Sequence, residues 1–135
     1  MMSFRESIST CLIEKVVTLS GRATRSEYWW YALFTYLVEP LIYGGFSGVV
    51  YMTQVIEDGI LKSLLAIVLV LLILCQILIL CSSVCATVRR LHDSGKSGFW
   101  FFILFVPIVG SIILLIFLVS DSKKEDNEYG AYVSL

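Results

Sequence analysis

Val88-Arg89-Arg90-Leu91-His92-Asp93-Ser94-Gly95-Lys96-Ser97-Gly98-Phe99-Trp100 sets three cations, the single histidine, two serines and two glycines between long apolar runs. Such a stretch reads as a membrane-surface hinge. Its cations favour the cytoplasmic face, its glycines permit a chain reversal, and Phe99 with Trp100 begins a new descent into lipid. The fold follows from what flanks it.

On the N-terminal side, the run from Leu64 to Val88 is rich in Leu, Ile and Val and carries no charge. It is a spanning helix. Extended from Leu61 to Val88 it would be about 42 Å long against a hydrocarbon layer of about 30 Å, so it must tilt or project. Gln76 then falls near mid-membrane. On the C-terminal side, a third span is expected over 99–119, kinked at Pro107, whose missing amide would free the Ile103 carbonyl for Ser111 or a neighbouring helix. A re-entrant segment that turns back at Pro107 is the alternative.

Further upstream, the run over 28–52 is long enough for one crossing and too short for two. Glu39 and Pro40 interrupt it. Pro40 cannot donate to the Tyr36 carbonyl, so a kink is expected. Glu39 lies roughly 16 Å beyond Tyr28, where an ionised carboxylate is costly and should be neutral, paired or hydrated. Gly44 and Gly48 give this helix a small-residue face of the kind that lets membrane helices approach closely. Before it, Gly21-Arg22-Ala23-Thr24-Arg25-Ser26-Glu27 precedes four consecutive aromatics, Tyr28 to Tyr31. Thr24 with Glu27 fits a capping box, Arg22 and Arg25 suit lipid head groups, and the aromatics suit the interface. From Ser3 to Leu19, Phe4, Ile8, Cys11, Leu12 and Leu19 share a helical face, and Ser3 with Glu6 fits a capping box, which predicts a short amphipathic helix on the membrane surface or a frayed tail.

Composition agrees. Of 135 residues 58% are hydrophobic and 16% charged, with a mean hydropathy of +0.86, too apolar for an ordinary soluble domain. The expected fold is all-α and integral to the membrane, with about three transmembrane helices, the first and third kinked at proline. Segment 1–20 is interfacial, 21–120 forms the helical domain with spans over 28–52, 61–88 and 99–119, and 121–135 is a water-exposed polar tail. No signal peptide is expected, because a polar stretch precedes the first long apolar run. Arg5, Lys15, Arg22 and Arg25 before the first span, and Arg89, Arg90 and Lys96 after the second, put the N-terminus and hinge in the cytoplasm. Three full crossings would leave Lys123 and Lys124 outside, and a re-entrant third segment would return them inside.

Chemistry is harder to read. Cys75, Cys81 and Cys85 fall in the second span, where packing thiols are the expected role; Cys81 and Cys85 share a face, but His92 lies about 10 Å of helix beyond them, too far for one ion. No metal, cofactor or nucleic-acid partner is expected. Gly95-Lys96-Ser97 lacks the earlier glycine of a phosphate loop, since Arg90 occupies that position. His92 beside Asp93 has no nucleophile placed for it, so no catalytic residue is assigned.

Gly21 to Trp30, Val88 to Trp100, Pro107 with Gly110, and Asn127-Glu128-Tyr129-Gly130 together resemble the motifs of the YhaH-like small bacterial inner-membrane proteins, domain of unknown function 805. The resemblance implies a multi-pass bacterial inner-membrane protein and implies no activity. Lys96 stands where that family often has Arg, Phe99 where it often has Trp, and the tail lacks the proline that usually follows its glycine. The motif residues Arg22, Arg25, Glu27, Arg89, Arg90, His92, Asp93 and Lys96 are the candidates for head-group or ligand contact, with Arg89 and Arg90 either reaching anionic head groups or tying the loop to acids such as Glu27. Glu39 and Gln76 are the mid-membrane polar pair. A non-enzymatic helical unit that packs with itself or with a membrane partner accounts for these features. The competing readings are a small transporter or channel component built around Glu39 and Gln76, and an enzyme acting on lipid head groups through His92, Asp93 and the arginines.

Overall fold

In the computed structural model, which describes residues 1–132, the chain is entirely helical apart from turns and one isolated bridge between Asn127 and Gly130. Helix α1 spans Phe4–Ser9 and continues as a π turn, Thr10–Glu14. Helices α2, Arg25–Val55, and α3, Gly59–Asp93, form a long hairpin. A 3₁₀ helix, Gly98–Phe105, and helix α4, Val109–Val119, make up the third apolar segment. Two helices are long and apolar enough to cross a membrane.

The long hairpin follows from length and caps. With 31 and 35 residues, α2 and α3 extend about 46 and 52 Å at 1.5 Å per residue, more than the hydrocarbon layer requires. Thr24 Oγ1 accepts the Glu27 amide at α2's start, and Asp58 Oδ1 accepts the Leu61 amide at α3's start, each satisfying one orphan donor. Helix α2 runs through Pro40 without interruption. Away from the hinge end most side chains on both helices are exposed to the surroundings, as expected where lipid rather than protein is the neighbour.

The N-terminal segment is shorter than 3–19 and does more than lie on a surface. Ser3 and Glu6 form the anticipated capping box, but helical structure ends at Glu14 and the face docks onto the hairpin. Cys11 is fully buried against Tyr31 and Ala86, and the Ser82 hydroxyl donates to its carbonyl at 2.7 Å. Leu19 remains exposed.

The third segment is broken rather than kinked. After Phe105 the chain turns through Pro107 and Ile108, and α4 runs back beside the 3₁₀ helix, with Trp100 edge-on to Phe117 at 5.1 Å. Both ends therefore meet at the hinge, the re-entrant arrangement. The Ile103 carbonyl is taken by the Val106 amide at 2.9 Å, while Ser111 turns instead to the Ile108 carbonyl at 2.8 Å. Ile108 sits at φ +64°, a strained value for a β-branched residue that costs about 1–3 kcal/mol. The turn is held by close approach at Gly110, where an added Cβ would lie 1.8 Å from the Ile103 carbonyl oxygen.

Gly110→Ala should therefore destabilise the hairpin by more than about 2 kcal/mol. Gly59→Ala, where a Cβ meets nothing within 4 Å, should cost nothing measurable. Thermal midpoints of both variants in lipid nanodiscs check this, and equal midpoints would contradict the packing of α4 on the 3₁₀ helix.

Candidate functional site

The hinge end of the hairpin gathers a cluster of charged groups that is almost wholly removed from solvent. Arg89 and Arg90 end α3, Asp93 is its last residue, and Arg22 arrives from the segment before α2. Gly21, at φ +89°, turns that segment so that the Ala23 amide donates to the Arg89 carbonyl at 3.0 Å. Arg22 and Asp93 are thereby brought side by side.

Asp93 is shared by two guanidinium groups. Arg22 Nε donates to its Oδ1 at 3.0 Å, and Arg90 Nη1 and the Ser122 hydroxyl donate to its Oδ2. All three charged side chains are at most 2% exposed. The remaining donors are spent on main-chain carbonyls: Arg22 on Lys123 and, at 3.0 Å, Glu125 of the tail, Arg90 on Ser120 and, at 3.0 Å, Leu118 at the end of α4. The C-terminus of α4 is thus capped by a buried cation, which suits its dipole.

A second pair lies alongside. Arg89 Nη1 donates to Glu27 Oε1 at 3.0 Å, both side chains buried. Glu27 was expected to close a capping box with Thr24, but its carboxylate is drawn to Arg89 and only the Thr24 half of the box forms. The Cys11 sulfur touches both, 3.6 Å from Arg89 Nη2 and 4.0 Å from Glu27 Oε1. Burial, reinforced by the Glu27 charge and opposed by Arg89, pushes this thiol up to about 11. Among the described residues Arg89 Nε and the Tyr31 hydroxyl are buried without a partner.

Arg22, Glu27, Arg89, Arg90 and Asp93 converge, therefore, and do so with each other rather than with head groups. Arg25 stays exposed and pairs with Asp121 at 2.7 Å, and Lys96 is exposed with its ammonium 5.1 Å from the Phe117 ring. His92 belongs to neither pair. Its Nδ1 meets the Gly21 carbonyl at 3.3 Å, and its ring stacks on Tyr129, centroids 3.8 Å apart and 2° from parallel. Of the four aromatics over 28–31, Trp29 and Trp30 face outward whereas Tyr31 is buried. Far from the hinge, Gln76 Nε2 donates to Glu39 Oε2 at 2.9 Å. Among the described residues no three His, Cys, Asp or Glu side chains gather as a metal site.

The tail is what sequence reasoning missed. It is exposed as read, with no described residue of 121–132 buried, but it also folds back as a clasp: the Lys123 amide donates to the Asp93 carbonyl at 3.0 Å, and Asn127 Nδ2 donates to the His92 carbonyl at 2.9 Å. The signal available was the recurrence of Asn127 to Gly130 among the motif stretches.

Residues 16–131 match the family described as Protein of unknown function (DUF805). The chain belongs to the DUF805 family. Inner membrane protein YhaI of Escherichia coli (strain K12) is 30% identical over 119 residues, 88% of each chain. Inner membrane protein YhaH of the same organism is 24% identical over 119 residues, 88% of this chain and 89% of that one. No solved structure matches significantly. The DUF805 match takes in both ion pairs and the clasp, and leaves α1 and Cys11 outside it. The chain is accordingly an all-helical membrane protein of a family that carries no assigned activity.

Two outcomes test the cluster. Asp93→Asn leaves two buried guanidiniums without their shared anion and should cost about 3–5 kcal/mol, with the tail becoming cleavable by trypsin at Lys123 and Lys124. For Cys11, a pKa raised from 9.0 to about 11 means the unfolded chain loses its proton first. The thiol's contribution is full below pH 9 and is lost as pH rises through 9 to about 11. The difference in thermal midpoint between wild type and Cys11→Ala should shrink over that window and stay constant below it.

Proposed function

We propose that this DUF805 protein is a non-enzymatic unit of the bacterial inner membrane, a helical hairpin locked at its cytoplasmic end that packs with itself or with a membrane partner. One observation carries this reading. The charged residues of its most distinctive motifs are consumed inside the chain, Arg22 and Arg90 by Asp93 and Arg89 by Glu27, so their role is to hold three chain segments together. The surface left over is the apolar hairpin, on which Gly44, Gly45 and Gly48 stand open with nothing within 4 Å.

Orientation follows from the positive-inside bias. With the third segment folded back, nine of the ten Lys and Arg residues belong to the hinge end, and Lys62 alone lies by the acidic turn of Glu57 and Asp58. That asymmetry supports a cytoplasmic N-terminus, hinge and tail. Single cysteines introduced at Lys96 and Lys124 should be labelled by an impermeant thiol reagent from one side of the membrane and a cysteine at Asp58 from the other. Labelling of Lys124 and Asp58 from the same side would reject the arrangement. Purified in nanodiscs from a mild-detergent extract, the chain should carry a stoichiometric membrane partner or be a defined homo-oligomer. A bare monomer would overturn the packing role.

The bond between Glu39 and Gln76 favours a second reading, in which several copies enclose a polar mid-membrane path. A hairpin of two long helices cannot line a path alone. Glu39→Gln separates the readings: retained stability with proton or cation flux lost in liposomes supports transport, and absence of flux from both proteins supports the packing unit. The bond itself should be worth about 0.6 kcal/mol, the average for interhelical bonds in membranes.

A further inference from the structure

A groove of about 580 Å³ opens beside the hinge, between α3 and the 3₁₀ helix. Val84, Val88 and His92, one helical turn apart in succession, form one wall, and Phe99, Phe101 and Phe102 face them. Leu19, Ser97 and Tyr129 complete the lining. Polarity is confined to the hinge end. From His92 to Val84 the wall descends about 12 Å along α3 into purely apolar surroundings.

The histidine at the head of this groove is oriented from behind. A main-chain carbonyl can only accept, so the contact with the Gly21 oxygen at 3.3 Å puts the proton of the neutral ring on Nδ1 and leaves Nε2 as an acceptor. Stacking on Tyr129 fixes the ring plane, and Asn127 holds the His92 carbonyl. Gly98 keeps the approach open: a Cβ there would sit 3.2 Å from Nε2 and 2.8 Å from a Val88 methyl. His92 is 9% exposed, and no described residue hydrogen-bonds Nε2. Nε2 is therefore an acceptor without a protein donor at the mouth of an apolar cavity, where a donor supplied by a ligand would be matched.

The charges nearby decide what kind of head fits. The three guanidiniums of the hinge are spent on Asp93, Glu27 and tail carbonyls, and the Lys96 ammonium is turned to Phe117. Glu128, next to Tyr129, is an anion. No Lys or Arg lines the groove, so a phosphate at its head would face the His92 acceptor without a cation beside it. We propose that this groove is a binding site for an uncharged, hydroxyl-headed membrane lipid, its hydroxyl donating to His92 Nε2 and its chain lying along Val88 and Val84 between the phenylalanines.

Nanodiscs holding the full chain, with photoactivatable diacylglycerol or photoactivatable phosphatidylglycerol of the same chain length, test this. Diacylglycerol should cross-link saturably to residues between Val84 and Phe102, at least about fivefold above phosphatidylglycerol, the range one hydrogen bond supplies. His92→Phe keeps a ring to stack on Tyr129 but has no acceptor, and should reduce labelling to the phosphatidylglycerol level. Val84→Trp fills the lower groove without touching the ion pairs, and should abolish saturable labelling at an unchanged thermal midpoint. If His92→Phe fails to fold, Val84→Trp with the comparison of the two lipids still decides. Equal labelling by both lipids would identify the groove as ordinary boundary-lipid surface and overturn the proposal. So would labelling that Val84→Trp leaves intact, or no saturable labelling at all.

Discussion

One carboxylate shared by two arginines underlies the rest of this structure. Asp93 sits at the C-terminus of α3, where the helix dipole disfavours an anion, and is nearly solvent-free. Both penalties are met only because Arg22 and Arg90 place guanidiniums on its two oxygens. Neither arginine could be buried without it, and their outward-pointing donors in turn hold the carbonyls of Leu118, Ser120, Lys123 and Glu125. Three segments distant in sequence are tied through one charge. A buried pair of this kind adds little net stability compared with apolar packing, but it penalises alternative arrangements by leaving charges unpaired.

This explains why a chain so apolar can support a broken third segment. Non-helical backbone is tolerated at membrane depth only when its polar groups are satisfied within the protein. Around Pro107 the amides of Val106, Val109 and Gly110 find the carbonyls of Ile103, Pro107 and Val106. The strain at Ile108 is held because both ends of the segment are anchored, one by the turn after α3 and the other by Arg90 on α4's last carbonyls. Without that second anchor, a single continuous helix would relieve Ile108.

The two long helices, their caps and the depth shared by Glu39 and Gln76 are local or one-dimensional properties, and they were legible in the sequence. Apolar run length sets a helix, Ser3 and Thr24 announce its start, and counting residues from Tyr28 places Glu39. What was not legible depends on pairings between distant positions, such as Arg22 with Asp93, 71 residues apart, and Arg90 with the Leu118 carbonyl, 28 residues apart. Arginines beside a membrane span are ordinarily read as head-group contacts, and Arg22 was so read although it points in; for Arg89 and Arg90 a tie to acids such as Glu27 was the alternative, and Arg89 does pair with Glu27. The clasp was hidden for a related reason. The tail's side chains are charged and exposed, but what Arg22 recognises is its main chain, which has no signature in composition.

On the orientation proposed above, the hinge cations act twice, at different stages. During insertion an exposed Lys or Arg counts toward topology whatever it later pairs with, so Arg22, Arg89 and Arg90 can fix the hairpin's direction while still in water. Their pairs close only when Gly21 to Ala23, the end of α3 and the tail have come together, which requires the hairpin to be in place already. Helices form and insert first and associate afterwards, and here the association is completed at the surface rather than within the bilayer. Arginine suits both stages better than lysine would: it stays charged through burial, and its planar fork can hold a carboxylate on one side and carbonyls on the other. The position where a point charge suffices, outside the cluster and over the Phe117 ring, is the one occupied by Lys96.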